Sequence, residues 1–254
     1  ASNKCVLSEI IAYIETQLDQ KSFSQLAFAK QFEFRPKNFA INLYRFKQLY
    51  SNQSDLLWVK KSCDGSFGIG IQSITTKEVL NEIRPSTITI QRAVEPPMLW
   101  NGYCFHFRIS MFIHSYAPLR VSILQEGHVF LASKRFEGEF ERDVFVTNLH
   151  NTGNHDKLFK LSHLWEVLGV EKAKQIRTSL RRSLILLLLF DIFQNGPVTI
   201  KHHHHVQRNS DLRFTNETMH PNTLACFDYF AADVMLTHDG IPKILEINRN
   251  PGLE

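Results

Sequence analysis

The sequence predicts an α+β fold in which antiparallel sheets are flanked by helices. Residues 105–114 alternate between apolar and polar with one exception, Phe112, and a short apolar hairpin closes the chain. Apolar residues also recur at helical spacing near the start of the chain and again before residue 195. Alternation indicates strands and the longer spacing indicates helices. A chain of 254 residues is long enough for one large domain or two small ones.

The alternating segment, "FHFRISMFIH", is the clearest strand. Its odd-numbered residues, from Phe105 to Ile113, are apolar and share one face, while His106 and Arg108 point to the other. This pattern predicts a half-buried strand with a polar side. The segments "LRVSIL" and "HVFLAS" follow as two more strands, each joined by a short turn, so that an antiparallel meander is expected.

The remaining elements are predicted from periodicity and from turn residues. Helices are expected over residues 4–29, 41–50, 77–83, 156–168 and 171–195, and strands over 56–61, 87–94, 231–236 and 241–247.

Composition narrows the class of protein. The formal charge of +4 suits acidic partners and gives no specific sign of a nucleic-acid partner. The most apolar run, "LILLLLF", has seven residues, too few to span a bilayer, so no membrane partner is expected. Four cysteines without a C-x-x-C pair predict free thiols in a reducing compartment. His202 to His205 are interpreted as a loop without a ligand role.

The closing hairpin suggests a cation site. If Asp239-Gly240 forms a two-residue turn, Asp233 lies directly opposite Glu246, and Asn248 shares the face of Glu246. Facing carboxylates repel unless a cation or a proton lies between them. Oxygen ligands of this kind suit Mg²⁺. The alternative is a hairpin with exposed acids, and a slip of one residue would move one acid to the other face.

A second segment suggests an anion site. Lys60 and Lys61 end a strand and precede a loop with Gly65, Gly68 and Gly70. Glycines let backbone N–H groups approach an anion, and a lysine can hold a phosphate. The order of these residues is not that of the Walker motif, so by itself this signal for phosphate binding is weak.

Together these segments resemble the tubulin tyrosine ligase-like family, which has the ATP-grasp fold. The resemblance covers residues 36–252. It rests on "LWVKKSCDGSFGIGI", on "ITIQRAVEPPMLWNGYCFHFR" and the strands after it, on "VTNLH", and on "FDYFAADVMLTHDGIPKILEINRNPGLE". It implies a nucleotide held between two subdomains. The expected division is an N-terminal helical segment (1–35), a central subdomain with the glycine loop (36–95) and a C-terminal subdomain with the metal-binding hairpin (96–254).

The resemblance also implies roles for particular residues. Arg108 would point at the phosphates as the catalytic residue, and Asp233, Glu246 and Asn248 would bind Mg²⁺. The residues implied to bind ATP are Lys61, Gly68, Gly70, Gln91, Arg92, Val94, Thr147 and Asn148. Departures from the family pattern include Cys104 in place of a lysine, His106 in place of an aspartate and Phe130 in place of an arginine.

The activity implied by the resemblance is that of an ATP-dependent carboxylate–amine ligase. Such an enzyme adds an amino acid to a protein or peptide through an acyl phosphate, with an acidic tail such as that of tubulin as the partner. The resemblance implies a cytoplasmic protein and leaves association with the cytoskeleton open. Two alternatives remain: a non-catalytic nucleotide-binding module of the same fold, and an ATP-grasp ligase that acts on a small metabolite or peptide.

Overall fold

Two antiparallel sheets, flanked by helices, form the part of the chain that the structure describes. The structure is a computed structural model that describes residues 4–65, 70–116, 118–138, 141–147, 158–195 and 228–249. The predictions for Gly68, Asn148 and His202–His205 fall outside these ranges. The α+β class with antiparallel sheets is confirmed.

Helices and strands alternate irregularly along the described chain. The helices are α1 (Lys4–Gln17), α2 (Gln20–Ser24), α3 (Phe39–Tyr50), α4 (Thr76–Glu82), α5 (Arg142–Phe145), α6 (Leu161–Leu168) and α7 (Val170–Asn195). The strands are β1 (Gln31–Glu33), β2 (Leu57–Ser62), β3 (Gln72–Thr75), β4 (Ile88–Arg92), β5 (Leu99–Trp100), β6 (Tyr103–Tyr116), β7 (Leu119–Arg135), β8 (Leu158–Lys160), β9 (Asp228–Leu236) and β10 (Pro242–Arg249).

The smaller sheet has the strand order β1-β4-β2-β3 and an aromatic core. Trp58 on β2 is fully buried and packs edge-on against Phe32 and Phe46. Its indole N–H donates to Thr76 Oγ1 at 3.0 Å, so the polar atom of this large side chain has a partner. This core fixes β2 and β4, the strands that carry Lys61 and Gln91.

The larger sheet has the order β10-β9-β6-β7-β8, with β5 beside β6. The apolar face of β6, including Phe105 and Phe107, packs in one core with Leu164 of α6 and Leu184 of α7. The polar face, with His106 and Arg108, lines a cleft instead. The half-buried strand expected from the alternation is therefore present, and its polar side faces the cleft.

The predicted meander differs from the observed one at Gly127. The segments expected as two strands form one strand, β7, which pairs with β6 along most of its length. Gly127 is not a turn residue. Its position faces the backbone carbonyl of Arg108 so closely that a Cβ atom would collide with it. The glycine is therefore needed for close approach of two strands rather than for a change of direction.

Two other predictions need correction. Residues 158–160 form β8, which pairs with His128–Phe130, whereas a helix was expected there. Cys5 and Cys63 form a disulfide with a Cα–Cα distance of 5.2 Å, so the prediction of free thiols was wrong for this pair. Sequence spacing cannot reveal a bridge between cysteines 58 residues apart. Cys104 is free and buried.

The predicted boundaries at residues 35 and 95 stay a prediction. β1 lies before the first boundary and pairs with β4 of the smaller sheet. None of the helices in the described ranges combines the length and the apolarity needed to cross a bilayer.

Candidate active site

A cleft between the two sheets collects most of the residues that the sequence singled out. Its walls come from β2 and β4 on one side and from β6, β9 and β10 on the other. The predicted residues that line it are Lys61, Gln91, Arg92, Val94, Arg108, Thr147, Asp233 and Glu246.

The hairpin of β9 and β10 brings Asp233 opposite Glu246, as predicted. The turn that produces this pairing differs from the expected one. The amide of Thr237 donates to the carbonyl of Ile241, so the turn has three residues, and Gly240 in it has φ of 75°. A bulge at Leu245, between the pairs of Ile244 and Glu246, then restores the register.

Asp233 is the electrostatic centre of this end of the cleft. Arg108 donates to both of its oxygens, from Nε at 2.7 Å and from Nη2 at 3.0 Å. Burial alone would raise the pKa of the Asp233 carboxyl, but its neighbours His106 and Arg108 hold that pKa below its usual value. Asp233 is therefore an anion at neutral pH although it is only 6% exposed.

Asn248 connects the two acids. Its Nδ2 donates to Asp233 Oδ2 at 3.0 Å and to Glu246 Oε1 at 3.1 Å. The predicted metal ligands thus lie together on one face of the sheet, as carboxylate and amide groups. Nowhere in the described ranges do three histidine, cysteine, aspartate or glutamate side chains converge as a complete cation cage. The set fits Mg²⁺, which takes few protein ligands and completes its shell with water and phosphate oxygens.

Lys61 ties the smaller sheet to the hairpin. Its Nζ donates to Gln91 Oε1 at 2.6 Å and lies 3.5 Å from the carbonyl oxygen of Leu245. Gln91 Nε2 donates to the same carbonyl at 3.1 Å. The bulge that sets the register of the hairpin therefore also presents an acceptor to the lysine. Burial lowers the pKa of Lys61 to about 8, and the nearby Glu246 partly offsets this effect.

The structure separates the two adjacent lysines. Lys61 is 7% exposed and lines the cleft, whereas Lys60 lies on the opposite side of β2, near Glu78 and Glu82 of α4. Successive side chains of a strand point to opposite faces. The resemblance, which implied Lys61 rather than Lys60 as an ATP ligand, therefore agrees with the location of Lys61.

Lys4 is a cleft residue that the sequence analysis missed. It begins α1, and its Nζ donates to the carbonyl of Gly65 and lies 3.5 Å from Glu246 Oε2. The Cys5–Cys63 bridge holds the start of α1 beside the end of β2. A lysine at the first position of a helix, where the helix dipole disfavours a positive charge, was the available signal.

Of the departures at Cys104, His106 and Phe130, only His106 lines the cleft. His106 stacks on Phe130, its partner across the strands, with ring centroids 4.7 Å apart and an angle of 9°. The guanidinium of Arg108 lies over the Phe130 ring at 5.4 Å. Cys104 is buried in an apolar cluster with Val94 and Met235, and burial raises the pKa of its thiol to about 12.

The remaining predicted residues have varied surroundings. Arg92 donates from Nη1 to the Leu57 carbonyl and lies over the Trp58 ring at 5.9 Å, so its side chain contacts β2 of the smaller sheet. Thr147 Oγ1 contacts His106 Nδ1. Gly70 has φ of 74°, a conformation that suits glycine, and lies outside the residues that line the cleft.

Comparison with known sequences gives one consistent relationship. The sequence model of the Tubulin-tyrosine ligase family matches residues 3–254. Human tubulin monoglutamylase TTLL4 is 24% identical over 88% of this chain, and Caenorhabditis elegans tubulin polyglutamylase ttll-11 is 22% identical over 91%. The chain spans 19% and 35% of the lengths of these two relatives.

Comparison with solved structures identifies the fold. The C-terminal domain of K. lactis Pby1, an ATP-grasp enzyme that interacts with the mRNA decapping enzyme Dcp2, matches with a TM-score of 0.61. The match covers 98% of this chain and 65% of that domain at 18% identity. At this identity the likeness establishes the ATP-grasp fold and carries no further conclusion.

Proposed function

The chain belongs to the tubulin-tyrosine ligase family, and we propose that it is an ATP-dependent carboxylate–amine ligase that adds an amino acid to a protein. In this reaction the γ-phosphoryl group of ATP moves to a carboxylate, which gives ADP and an acyl phosphate. An amine then attacks the acyl carbon, phosphate leaves, and an amide bond is formed.

The observation that carries this proposal is the convergence of charges in the cleft. Asp233 and Glu246 face each other from β9 and β10, and Arg108, Lys61 and Lys4 surround them. Phosphoryl transfer needs fixed positive groups around the phosphates and acidic ligands for a cation. A cleft between two sheets that contains both positive side chains and acidic ligands is suited to bind and activate a nucleoside triphosphate.

In this proposal Asp233, Glu246 and Asn248 hold Mg²⁺. When bound, the ion neutralises charge on the β- and γ-phosphates. The chain's own contribution is to keep these ligands in place. Arg108 orients the Asp233 carboxylate through two hydrogen bonds, and the Asn248 amide bridges the two acids. Asn248 would offer its amide oxygen to the ion as a neutral ligand beside the two carboxylates.

The phosphates of ATP bind to Lys61 and Arg108 in this proposal, and Lys4 adds a third positive group. All three line the same cleft. Lys61 is already held by Gln91, so it loses little conformational freedom on binding. Gly68, Gly70 and Asn148 remain proposed ligands from the resemblance, as does Thr147.

The adenine ring packs at the apolar end of the cleft, where Val94 and Met235 lie in one buried cluster. The backbone of Gln91 to Val94 connects the smaller sheet to the larger one and can offer hydrogen bonds to the edge of the base. The side chains of Gln91 and Arg92 have other partners, so the backbone rather than these side chains reads the base.

We propose glutamate as the added amino acid and an acidic protein tail, such as that of tubulin, as the acceptor. The relatives named above are glutamylases of tubulin. The formal charge of +4 on this chain is compatible with an acidic partner. A protein that modifies tubulin would work in the cytoplasm, in association with the cytoskeleton.

The test is release of ADP and covalent addition, measured together. The purified protein is incubated with Mg·ATP and single amino acids, with and without tubulin, and tubulin is weighed by mass spectrometry. We expect ADP release that depends on both glutamate and tubulin, with glutamate added to tubulin. Turnover with free amino acids or small peptides but not with tubulin would instead identify a ligase of small molecules.

One observation favours a second candidate, a nucleotide-binding module without turnover. The lysine and the arginine of the family pattern are Cys104 and Phe130, and both of these are buried among apolar or aromatic groups. The loss of one electrostatic contact to a transition state commonly costs about 100-fold in rate. Binding of Mg·ATP without ADP release, whatever the amino acid and acceptor, would identify this second function.

A further inference from the structure

His106 presents an unpartnered nitrogen inside the cleft. The residue is 7% exposed and lines the cleft between Cys104 and Arg108 on the polar face of β6. Its Nε2 is buried and has no hydrogen-bond partner among the described residues. The carboxylate oxygen Oδ1 of Asp233 lies 3.9 Å from Nε2, too far for a hydrogen bond. Buried polar atoms are seldom left in this state unless a ligand completes them.

The ring of His106 is held on its other sides. Nδ1 contacts Thr147 Oγ1, and one face of the ring stacks on Phe130 at 4.7 Å. Arg108 in turn lies over Phe130 and binds Asp233. These contacts fix the direction in which Nε2 points. The ring therefore cannot easily rotate to give Nε2 a hydrogen-bond partner within the protein.

The surroundings determine which nitrogen of the ring carries the proton. A histidine ring carries at least one N–H group, and a hydroxyl such as that of Thr147 can either donate to Nδ1 or accept from it. The carboxylate of Asp233 lies 3.9 Å from Nε2 and would repel a bare lone pair on that nitrogen. An N–H at Nε2 is attracted instead. The hydroxyl of Thr147 then donates to Nδ1, and Nε2 is a hydrogen-bond donor.

We propose that His106 recognises phosphate: its Nε2–H donates a hydrogen bond to a non-bridging oxygen of the phosphate chain of the bound nucleotide. This inference rests on the proposed function and extends it to a residue for which the family pattern has an aspartate. An aspartate carboxylate accepts hydrogen bonds and would repel phosphate, so the role belongs to this chain and does not follow from the resemblance.

The position of His106 on β6 supports the choice of ligand group. Cys104 marks the apolar end, together with Val94 and Met235, and Arg108 marks the charged end, with Asp233. His106 lies between them on the same strand. A nucleotide with its base at the apolar end and its last phosphates at the charged end would have its ribose and first phosphate in the middle, near Nε2. Of these two groups the phosphate is the one whose non-bridging oxygens only accept hydrogen bonds and carry the negative charge that an N–H donor favours.

The test compares ATP with adenosine, which has the same base and ribose but no phosphate. His106→Phe keeps a ring that can stack on Phe130 and removes the donor. His114→Phe is the matched control: it is the same change on the same strand at an exposed residue that does not line the cleft. Affinities for Mg·ATP and for adenosine are measured by calorimetry, with folding checked by thermal denaturation.

We expect His106→Phe to weaken Mg·ATP binding roughly 10- to 100-fold, the usual effect of losing a hydrogen bond to a charged group. Adenosine affinity should stay within about twofold, as should both affinities in the control variant. A parallel loss for ATP and adenosine would overturn the inference, since it indicates a contact to the ribose or a purely structural role. Unchanged ATP affinity would overturn it as well.

Nuclear magnetic resonance of the wild-type protein keeps the inference testable if the variant does not fold. With ¹⁵N-labelled histidine, the His106 signals should show the Nε2–H tautomer, and Nε2 should shift on addition of Mg·ATP but not of adenosine. An Nδ1–H tautomer would contradict the inference. Failure of the wild-type protein to bind Mg·ATP would refute the proposed function itself, an outcome distinct from failure of His106 alone.

Discussion

Asp233 and Glu246 form a directly paired couple across β9 and β10, and the bulge at Leu245 makes this possible. Without the extra residue, the three-residue turn would leave Glu246 one position out of step, on the opposite face. The same bulge presents the Leu245 carbonyl to Gln91 and Lys61. One local irregularity thus joins the proposed cation ligands to the proposed phosphate ligand.

Replacing Glu246 by Gln should remove the cation-dependent part of nucleotide binding. A ligand that binds only the native state raises its stability by about 2.7 kcal/mol at 100 times its Kd. We therefore expect millimolar Mg·ATP to raise the melting temperature of the wild-type protein, and this increase to be largely lost in Glu246→Gln. Glu166→Gln, an exposed change on α6, should behave as wild type. An equal shift in both variants would disprove the role of Glu246.

Lys60 and Lys61 should differ sharply although they are neighbours. Lys61→Ala should weaken ATP binding roughly 10- to 100-fold, because a charged hydrogen bond to phosphate is lost. Lys60→Ala should change it by less than about twofold, since Lys60 lies on the other side of β2. Both affinities can be measured by titration calorimetry. Equal losses, or the greater loss at Lys60, would show that the lysine was wrongly assigned.

Nucleotide affinity should fall in alkaline solution. Burial lowers the pKa of Lys61 to about 8 in the free protein, below its ordinary value of 10.5. Phosphate favours the charged amine, so binding above pH 8 must take up a proton, and affinity should drop up to about tenfold per pH unit. Calorimetry at pH 9 in buffers of different ionisation enthalpy measures the uptake. Lys61→Arg, which stays charged, should show none from this group.

The same pKa has a consequence for stability. Because the folded value lies below the unfolded one, the unfolded chain binds more protons between them. The cost of burying charged Lys61 is therefore fully present below pH 8 and is relieved as the pH rises toward 10.5. Lys61→Met should be more stable than wild type at pH 7, and the difference should shrink by pH 10. Urea unfolding at both pH values checks this, and a constant difference would contradict it.

Reduction of the Cys5–Cys63 bridge should destabilise the protein. The bridge closes a loop of 58 residues, and constraining a loop of that size in the unfolded chain contributes about 4 kcal/mol. We expect a lower melting temperature in reductant, and no response to reductant in a Cys5→Ser/Cys63→Ser variant. Two free thiols at these positions in the mass spectrum of the protein purified under oxidising conditions would show that the bridge does not form.

His106 and Phe130 should be energetically coupled. Phe130→Arg alone places a second cation beside Arg108, which now contacts the Phe130 ring, and should destabilise the fold. Adding His106→Asp supplies a carboxylate directly across the strands. In a double-mutant cycle we expect the double variant to be more stable than the sum of the single effects by at least about 0.5 kcal/mol. Simple additivity would mean that the two positions act independently.

The sequence predicted correctly that Asp233 faces Glu246, but it predicted the wrong turn. A two-residue turn and a regular strand give the same pairing of Asp233 with Glu246 as the observed three-residue turn followed by a bulge. Turn length depends on contacts outside the hairpin, and the amide of His238 in fact donates to the carbonyl of Pro96. Local turn preferences carry no information about such a contact.

Other features were beyond the reach of local patterns for a similar reason. Gly127 lies in a segment that looks like a turn, and only the pairing of two strands reveals that it permits a close approach. Lys4 reaches the cleft because α1 packs against the end of β2, a contact between distant parts of the chain. The alternation on β6, by contrast, depends only on neighbouring residues, and it predicted the apolar and polar faces correctly.

The most direct test of the proposed ligase is the fate of the γ-phosphoryl group. An acidic tail peptide with ¹⁸O in its carboxylates is incubated with the protein, glutamate and Mg·ATP, and the released phosphate is analysed by mass spectrometry. Passage through an acyl phosphate transfers one carboxylate oxygen to phosphate, so the account predicts phosphate with a single ¹⁸O atom, in step with glutamate addition, and none with Glu246→Gln. Phosphate without ¹⁸O, or ATP that stays intact with every amino acid and acceptor, would contradict it.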